Sequence, residues 1–589
     1  MVQDRGDVGG QVPTAPNAAW PLAALASAAL AACGGSGDDE KPAAPGAEAP
    51  VNVETVAVPW PDLQQAARFL NQASLGATVD EVERVKAIGY DAWLTEQMDD
   101  SPDSKYPITY VLYDLAYGVG WTDPSLMSTD VGLDNCLWFN LFTAKDVLRQ
   151  RVVLALSEIF VVSARNMPIP YGHIAVLSFW DLLAKHCFGN FLDLLQAVTL
   201  SPAMGTYLSL HGSAKADGTG RHPDENFARE LLQLFSIGLV KLNIDGEPVL
   251  DSQGKPIETY NNDTITQLAR ALTGWDFDAA SLVFGSSATT ADYVNRPMKF
   301  FPERYDTDPK WVLDPANTVT AAPGLPALRQ TLSFIFQHPN VGPFIAKQLI
   351  QRLVTSNPER NHVARVAQVF NDNGQGVRGD MAAVLRAVLL DPLARHGQLS
   401  DEQQARRGKL REPVLRLVHW GRLTKVTSND DLWKVGDLSG ADKLAQAPMR
   451  APSVFNFFRP GYSVAESTGT MLAPEMQITD QSSVIGYANY ILEILPVGLG
   501  YSQVERVAPD YRDWDVLASP SPELLVDRLN LLLTGGTLSQ ATIDQVLTAV
   551  RSAQETLGVF GVGDVSQTRN RVLVAFFLIM CSPDYLVQR

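Results

Sequence analysis

The stretch His222-Pro223-Asp224-Glu225-Asn226-Phe227-Ala228-Arg229-Glu230-Leu231-Leu232-Gln233-Leu234-Phe235-Ser236-Ile237-Gly238 reads as a helix punctuated at both ends. Pro223 suits a first turn, where its missing N–H costs nothing, and Asp224 and Glu225 favour the positive end of the helix dipole. Gly238 is a natural stop, because it takes the left-handed conformation without a Cβ penalty. Phe227, Leu231 and Leu234 form an apolar stripe, while Asn226, Arg229, Glu230 and Gln233 form a polar one on another face. Surface helices usually scatter lysines and glutamates there. The set reads either as a cleft-lining network or as a buried Arg–Glu pair holding helices in register.

Helix signals dominate outward from this stretch. Asn261-Asn262-Asp263 cap a second notable helix, Ile265–Thr273, which ends at Gly274-Trp275. Upstream, Leu63 to Ala73 is amphipathic, Thr78 and Glu81 form a capping box, and Asp146 caps a long apolar helix, Leu148–Val162. That helix contains Arg149, Arg151 and Glu158. Downstream, helices are expected at Leu325–Phe336, Val341–Val354, His362–Phe370 and Met381–Leu390, with a capping box at Ser400 and Gln403 and a short aromatic helix at Ala451–Phe458. Ser521-Pro522-Glu523 caps a later helix, and Val572–Met580 is an apolar terminal one. Between the two notable helices, glycine turns at Asp245-Gly246 and Gln253-Gly254 mark a small β-meander at about 239–260. Residues of about 276–323 form a long aromatic loop, of the kind that covers or lines something. The fold class is mainly α: a large multi-helix globular domain with one β-excursion and one long loop.

The chain has 589 residues, 46% hydrophobic and 19% charged, so size is no obstacle to a large core. A net charge of −18 without any basic run argues against nucleic-acid binding. Cys136, Cys187 and Cys581 are widely spaced in apolar helical contexts, match no zinc pattern, and read as buried free thiols; an export pathway would permit one disulfide among them.

An apolar run from Trp20 to Ala32 ends in Leu30-Ala31-Ala32-Cys33-Gly34, which resembles the lipobox of bacterial lipoproteins. The resemblance implies that Cys33 becomes the lipidated first residue of an exported, membrane-anchored protein on the periplasmic side or outer membrane. The preceding segment departs from it, with only Arg5 flanked by Asp4 and Asp7. Residues 1–33 are then a signal segment, 34–60 a Gly/Ala/Pro/acidic disordered tether, and 61–589 the helical body.

Several ordered stretches resemble the bacterial domain-of-unknown-function-1800 family. They are Arg68-Phe69-Leu70-Asn71-Gln72-Ala73-Ser74-Leu75-Gly76, Gly189-Asn190-Phe191, Ser201-Pro202-Ala203-Met204, Glu225-Asn226-Phe227-Ala228-Arg229-Glu230-Leu231, Leu268-Ala269-Arg270-Ala271-Leu272-Thr273-Gly274-Trp275 and Ser582-Pro583-Asp584-Tyr585-Leu586. The resemblance implies an exported, largely helical protein, often found beside an exported domain-of-unknown-function-1501 protein that resembles alkaline-phosphatase-type sulfatases. It names no reaction. Many relatives carry a Trp-His pair where this chain has Leu156-Ser157, and a His-Asp pair followed by lysine where it has Tyr305-Asp306 and Lys310. Those departures weaken any imidazole-based mechanism here.

If the two motif helices face each other, Asn226, Arg229 and Glu230 meet Thr266, Arg270 and Thr273. Such a set can hold an anionic or carbohydrate-like ligand, with Glu230 or Glu225 as acid/base and the arginines stabilising charge. Asp306, a further acid/base candidate, and Lys310 can complete it, with Trp275 and Tyr305 as a stacking wall. The other reading is a buried network that fixes helix packing. His211, His222, Asp224 and Glu225 lack metal-ligand spacing, so no metal site is assigned, and Asp245 to Asp251 reads as a hairpin rather than a calcium loop. No cofactor is identified: a P-loop, a dinucleotide fingerprint, a Gly-x-Ser-x-Gly elbow and a haem-attachment motif are all missing. Two functions stand: an envelope enzyme or enzyme subunit using the motif-helix cleft, or a non-catalytic scaffold for an exported partner.

Overall fold

Helix Val147–Ser157 is buried at every one of its 11 residues in the computed structural model, which describes residues 60–99, 107–118, 122–279, 291–395, 406–464, 471–500, 505–559 and 563–589. Cys33, the tether and the Ser400/Gln403 capping box lie outside the described residues. A helix with no solvent face must be surrounded, and Leu63–Ala73, Tyr90–Met98, Gly172–His186 and Val341–Leu353 pack around this one. Some of its polar groups find partners inside: Arg149 Nη1 donates to Ala184 O at 2.8 Å, and Gln150 Oε1 accepts from Trp180 Nε1 at 3.0 Å. The body is 54% helical, with antiparallel helix pairs such as Val341–Leu353 with Arg360–Asn371 and Gln540–Ser552 with Gln567–Met580.

Local signals set most boundaries. Leu325–Phe336 and Met381–Leu390 stand as read, the latter capped by Asp380, which accepts from Ala383 N. Asn261 caps Asn262–Ala271 through a reciprocal bond with Thr264. Four expectations differ. The buried helix ends at Ser157 rather than Val162, because Glu158 turns into the core. Thr78 makes no cap bond; Glu81 instead accepts from Trp93 Nε1 at 2.6 Å. Asp146 likewise leaves its helix uncapped and accepts from Gln150 Nε2 at 3.1 Å. Residues 451–458 form turns, not a helix.

The excursion after Gly238 closes on itself. Lys241 N donates to Ile257 O at 2.7 Å, Ile257 N to Val249 O at 3.0 Å, and Val249 N to Lys241 O at 2.7 Å. Three short extended segments thus form a triangle instead of a flat meander, with the Gly246 and Gly254 turns at two corners. Asn340 pins it to the helical body, donating to Ile237 O and Val240 O and accepting from Leu242 N. The aromatic loop is tied by two short ladders, Trp275–Asp276 with Lys299–Phe300 and Trp311–Val312 with Asp314–Thr318.

The core contains charge at its centre. Arg151, Glu158, Arg352, Lys409, Glu412 and Glu475 are all buried, drawn from segments scattered along the chain. Lys409 Nζ lies 3.0 Å from Glu475 and 3.4 Å from Glu412, and it donates to Arg352 O at 2.8 Å. Arg151 Nη2 also donates to Arg352 O, at 2.5 Å. The Glu158 and Glu412 carboxyls face each other and shift each other's titration. Burial and Glu412 push Glu158 well above the usual carboxylate range. Burial would raise Glu412 too, but Lys409 and Glu158 hold it down to about 2. Of the two acids, Glu158 is therefore the more readily protonated.

Candidate functional site

The motif helix spans Asn226–Gln233, three residues later in its start than Pro223, because Asp224 Oδ1 accepts from Asn226 N and holds the preceding chain in a turn. It packs against Asn262–Ala271, as the polar stripes suggest. Their polar residues fall into two groups. On the accessible rim, Glu225 accepts from Thr266 Oγ1 at 2.7 Å and from Arg229 Nη2 at 3.5 Å, with Asn226 exposed beside them. Deeper, Arg270 grips Asp306 through Nε at 2.8 Å and Nη2 at 3.1 Å.

The deeper group is self-satisfied. Thr273 Oγ1 accepts from Asp306 N at 2.9 Å, and Lys310 Nζ donates to the carbonyls of Asp306 and Asp308. Lys310 also sits 4.4 Å from the centre of the Tyr305 ring. Burial alone would raise the Asp306 carboxyl, yet Arg270 holds it below the usual range, and burial lowers the Lys310 ammonium. Trp275 is buried against Phe300 at 5.3 Å. A ligand here would have to displace a bidentate ion pair, so Arg270, Thr273, Asp306 and Lys310 clamp the long loop to the helix. Glu230 is different. Its Oε2 has no hydrogen-bond partner, and burial raises its carboxyl against the pull of Arg229.

A family model described as protein of unknown function (DUF1800) matches residues 68–587. The chain belongs to the DUF1800 family. No curated protein and no solved structure matches it.

Two of the stretches that carry the DUF1800 resemblance, Gly189-Asn190 and Ser201-Pro202, line a cleft of about 1120 Å³ that the sequence reading missed. Its wall includes Tyr110, Tyr113, Asn140, Asp146, Asp181 and Arg296. Asp181 accepts from Ile108 N at 2.6 Å and from Thr109 N and Oγ1, so it caps the Ile108–Tyr117 helix; burial pushes it up to about 6. Asp146 is raised by burial as well, opposed by Gln150 and Arg149. Its residues come from six α-helices, the short Ala291–Asn295 helix and the turns between them. The exposed tyrosines at positions 110 and 113 of an otherwise apolar helix are the one sequence signal for it.

Among the described residues, no three His, Cys, Asp or Glu side chains gather as metal ligands, and no helix is long and apolar enough to cross a membrane. His211 stacks on Phe277 at 4.6 Å and faces Asp276 at 3.6 Å. Cys136, Cys187 and Cys581 are free thiols, and burial raises the last two to about 12, which makes them poor nucleophiles.

Proposed function

We propose that this chain is an exported envelope lipoprotein, anchored through Cys33, that binds a carbohydrate-like ligand in the cleft lined by Tyr110 and Tyr113. The observation that carries this is the composition of the wall. Tyr110 and Tyr113 are 59% and 40% exposed on a cleft large enough for several sugar rings, beside planar hydrogen-bonding side chains such as Asn140, Asn295 and Gln196. Aromatic faces with amide and carboxyl partners match the alternating apolar and hydroxylated faces of a pyranose. The motif-helix rim of Glu225, Asn226 and Arg229 is the lesser candidate, since its deeper half is already bonded to itself.

The test is calorimetric titration of the full chain with chitin oligomers and soluble peptidoglycan fragments. Saturable binding that weakens about fivefold or more in Tyr110→Ala supports the reading. Its lack for every oligosaccharide in the panel sinks it. Palmitate labelling of the native host tests the anchor: Cys33→Ser should lose the label.

One observation favours the accessory-protein reading. Tyr117, 62% exposed on the same helix, does not line the cleft. If the helix docks a partner, such as the exported domain-of-unknown-function-1501 protein, Tyr117→Ala will weaken co-purification while leaving saccharide titrations unchanged.

A further inference from the structure

A second cavity, of about 350 Å³, opens between the end of the motif helix, the Val341–Leu353 helix and the turn around Val454 to Gly461. It shares no lining residue with the tyrosine cleft. Leu234, Leu239, Leu242, Phe344, Val454 and Phe455 make its sides. Its inner end is Glu158, Gln348 and Arg352, each less than a tenth exposed.

That end is chemically incomplete. Glu158 Oε2, Gln348 Nε2 and Arg352 Nε are buried without a hydrogen-bond partner. Glu158 Oε2 and Arg352 Nε stand 3.5 Å apart, and neither atom is hydrogen-bonded. The other guanidinium nitrogens of Arg352 are occupied, by Glu158 O at 3.0 Å and Gln348 O at 3.4 Å. Leaving a buried polar atom unsatisfied costs roughly 1–3 kcal/mol, so three at one end of an otherwise apolar cavity mark a place for a polar group.

The open donors set its sign. Gln348 Nε2 and Arg352 Nε both call for an acceptor, and Arg151 and Lys409 lie behind them, each donating to Arg352 O. At the mouth, Lys347 and Arg459 add two more cations. An occupant that matches this has an apolar body and one small anionic head.

We infer that the cavity binds a free, single-chain aliphatic carboxylic acid, its carboxylate on Gln348 Nε2 and Arg352 Nε and its alkyl chain against the Leu234, Phe344 and Val454 wall. An esterified acyl chain lacks the charged head, so the site separates free acids from lipid-bound ones. The carboxylate supplies the acceptors that Gln348 Nε2 and Arg352 Nε lack.

The test titrates the full chain with decanoate, below its aggregation concentration, and with methyl decanoate. Decanoate should bind saturably, one per chain, and at least tenfold more tightly than the ester. Gln348→Leu should weaken decanoate about fivefold and leave the ester unchanged, since one hydrogen bond to a charged group is worth roughly 1 kcal/mol or more. Val454→Trp fills the cavity and should abolish decanoate binding. Leu239→Trp, at a position 57% exposed, provides a second blocking variant whose fold is not at risk. Absence of saturable decanoate binding by the unmodified chain overturns the inference. So does an ester that binds as tightly as the acid, or a folded blocking variant that binds like the parent.

Discussion

Replacing either acid of the Glu158–Glu412 pair by glutamine removes the same atoms, yet the two variants should differ sharply in stability. Glu158 is the more readily protonated of the two, so Glu158→Gln exchanges one neutral hydrogen-bond donor for another: the new amide can donate to Glu412 as the acid would. Glu412 is ionised and accepts from Gln446 Nε2 at 2.9 Å while facing Lys409 at 3.4 Å. Glu412→Gln deletes that charge and turns an amide donor towards groups that are themselves donors. Breaking a buried charge pair from one side costs about 3–5 kcal/mol. Glu475, 3.0 Å from Lys409, offsets part of this, so about 3 kcal/mol is the working figure for Glu412→Gln. For Glu158→Gln it is about 1 kcal/mol or less. The gap of about 2 kcal/mol is roughly a thirtyfold difference in the folding constant. Guanidinium unfolding followed by both circular dichroism and tryptophan fluorescence measures it, and coincident transitions license the comparison. Equal losses, or a larger loss for Glu158→Gln, would refute the assignment of Glu158 as the more readily protonated acid.

Three further outcomes are expected. Arg270→Ala and Asp306→Ala should each destabilise the chain, with a double-mutant coupling energy of about 1–3 kcal/mol; coupling below about 0.5 kcal/mol would mean the pair is not a clamp. His362 is buried, donates through Nε2 to Val388 O at 3.2 Å, and is lowered by burial to about 4 from 6.5. Above pH 6.5 both states hold the ring neutral; below it the unfolded chain takes a proton the fold refuses, so stability falls from pH 6.5 down to about 4. The loss is on the order of 3 kcal/mol, and a pH series should show it shrinking in His362→Gln. Gly238 adopts φ +70°, and an added Cβ would lie 2.8 Å from the Phe344 ring. Gly238→Ala should therefore cost about 2 kcal/mol in denaturant unfolding, and no loss would contradict the close approach.

What the sequence revealed follows the range over which each interaction acts. Met381–Leu390 and Asn262–Ala271 were legible because Asp380 and Asn261 act on backbone within three residues. The pairing of the two motif helices was legible too, from complementary polar stripes. The excursion's turns were visible at Gly246 and Gly254, but closure into a triangle depends on Lys241 meeting Ile257 across both. The charged centre was hidden because it assembles over long separations: Arg151 and Arg352, joined by a hydrogen bond, are 201 residues apart. Its one local trace was a charge inside an apolar run, such as Arg151 before Val152-Val153-Leu154. The same kind of trace singled out Glu230. The tyrosine cleft left even less, since tyrosines on a helix are compatible with burial as readily as with a binding wall.

The stitching of distant segments around Lys409 bears on how the chain is made. Val587–Gln588 pairs with Lys409–Leu410, Gln588 Nε2 donates to Leu353 O at 2.9 Å, and Arg411 N donates to Leu586 O at 2.7 Å. At the other extreme, Asn71 of Leu63–Ala73 donates to Leu532 O, 461 residues away, and Arg411 Nη2 donates to the neighbouring Leu533 O. A ribosome releases the residue at 71 long before those at 532 and 588. Until then Lys409 lacks the strand that frames it, and the first helix lacks its partner, so native closure has to wait for the whole body to emerge.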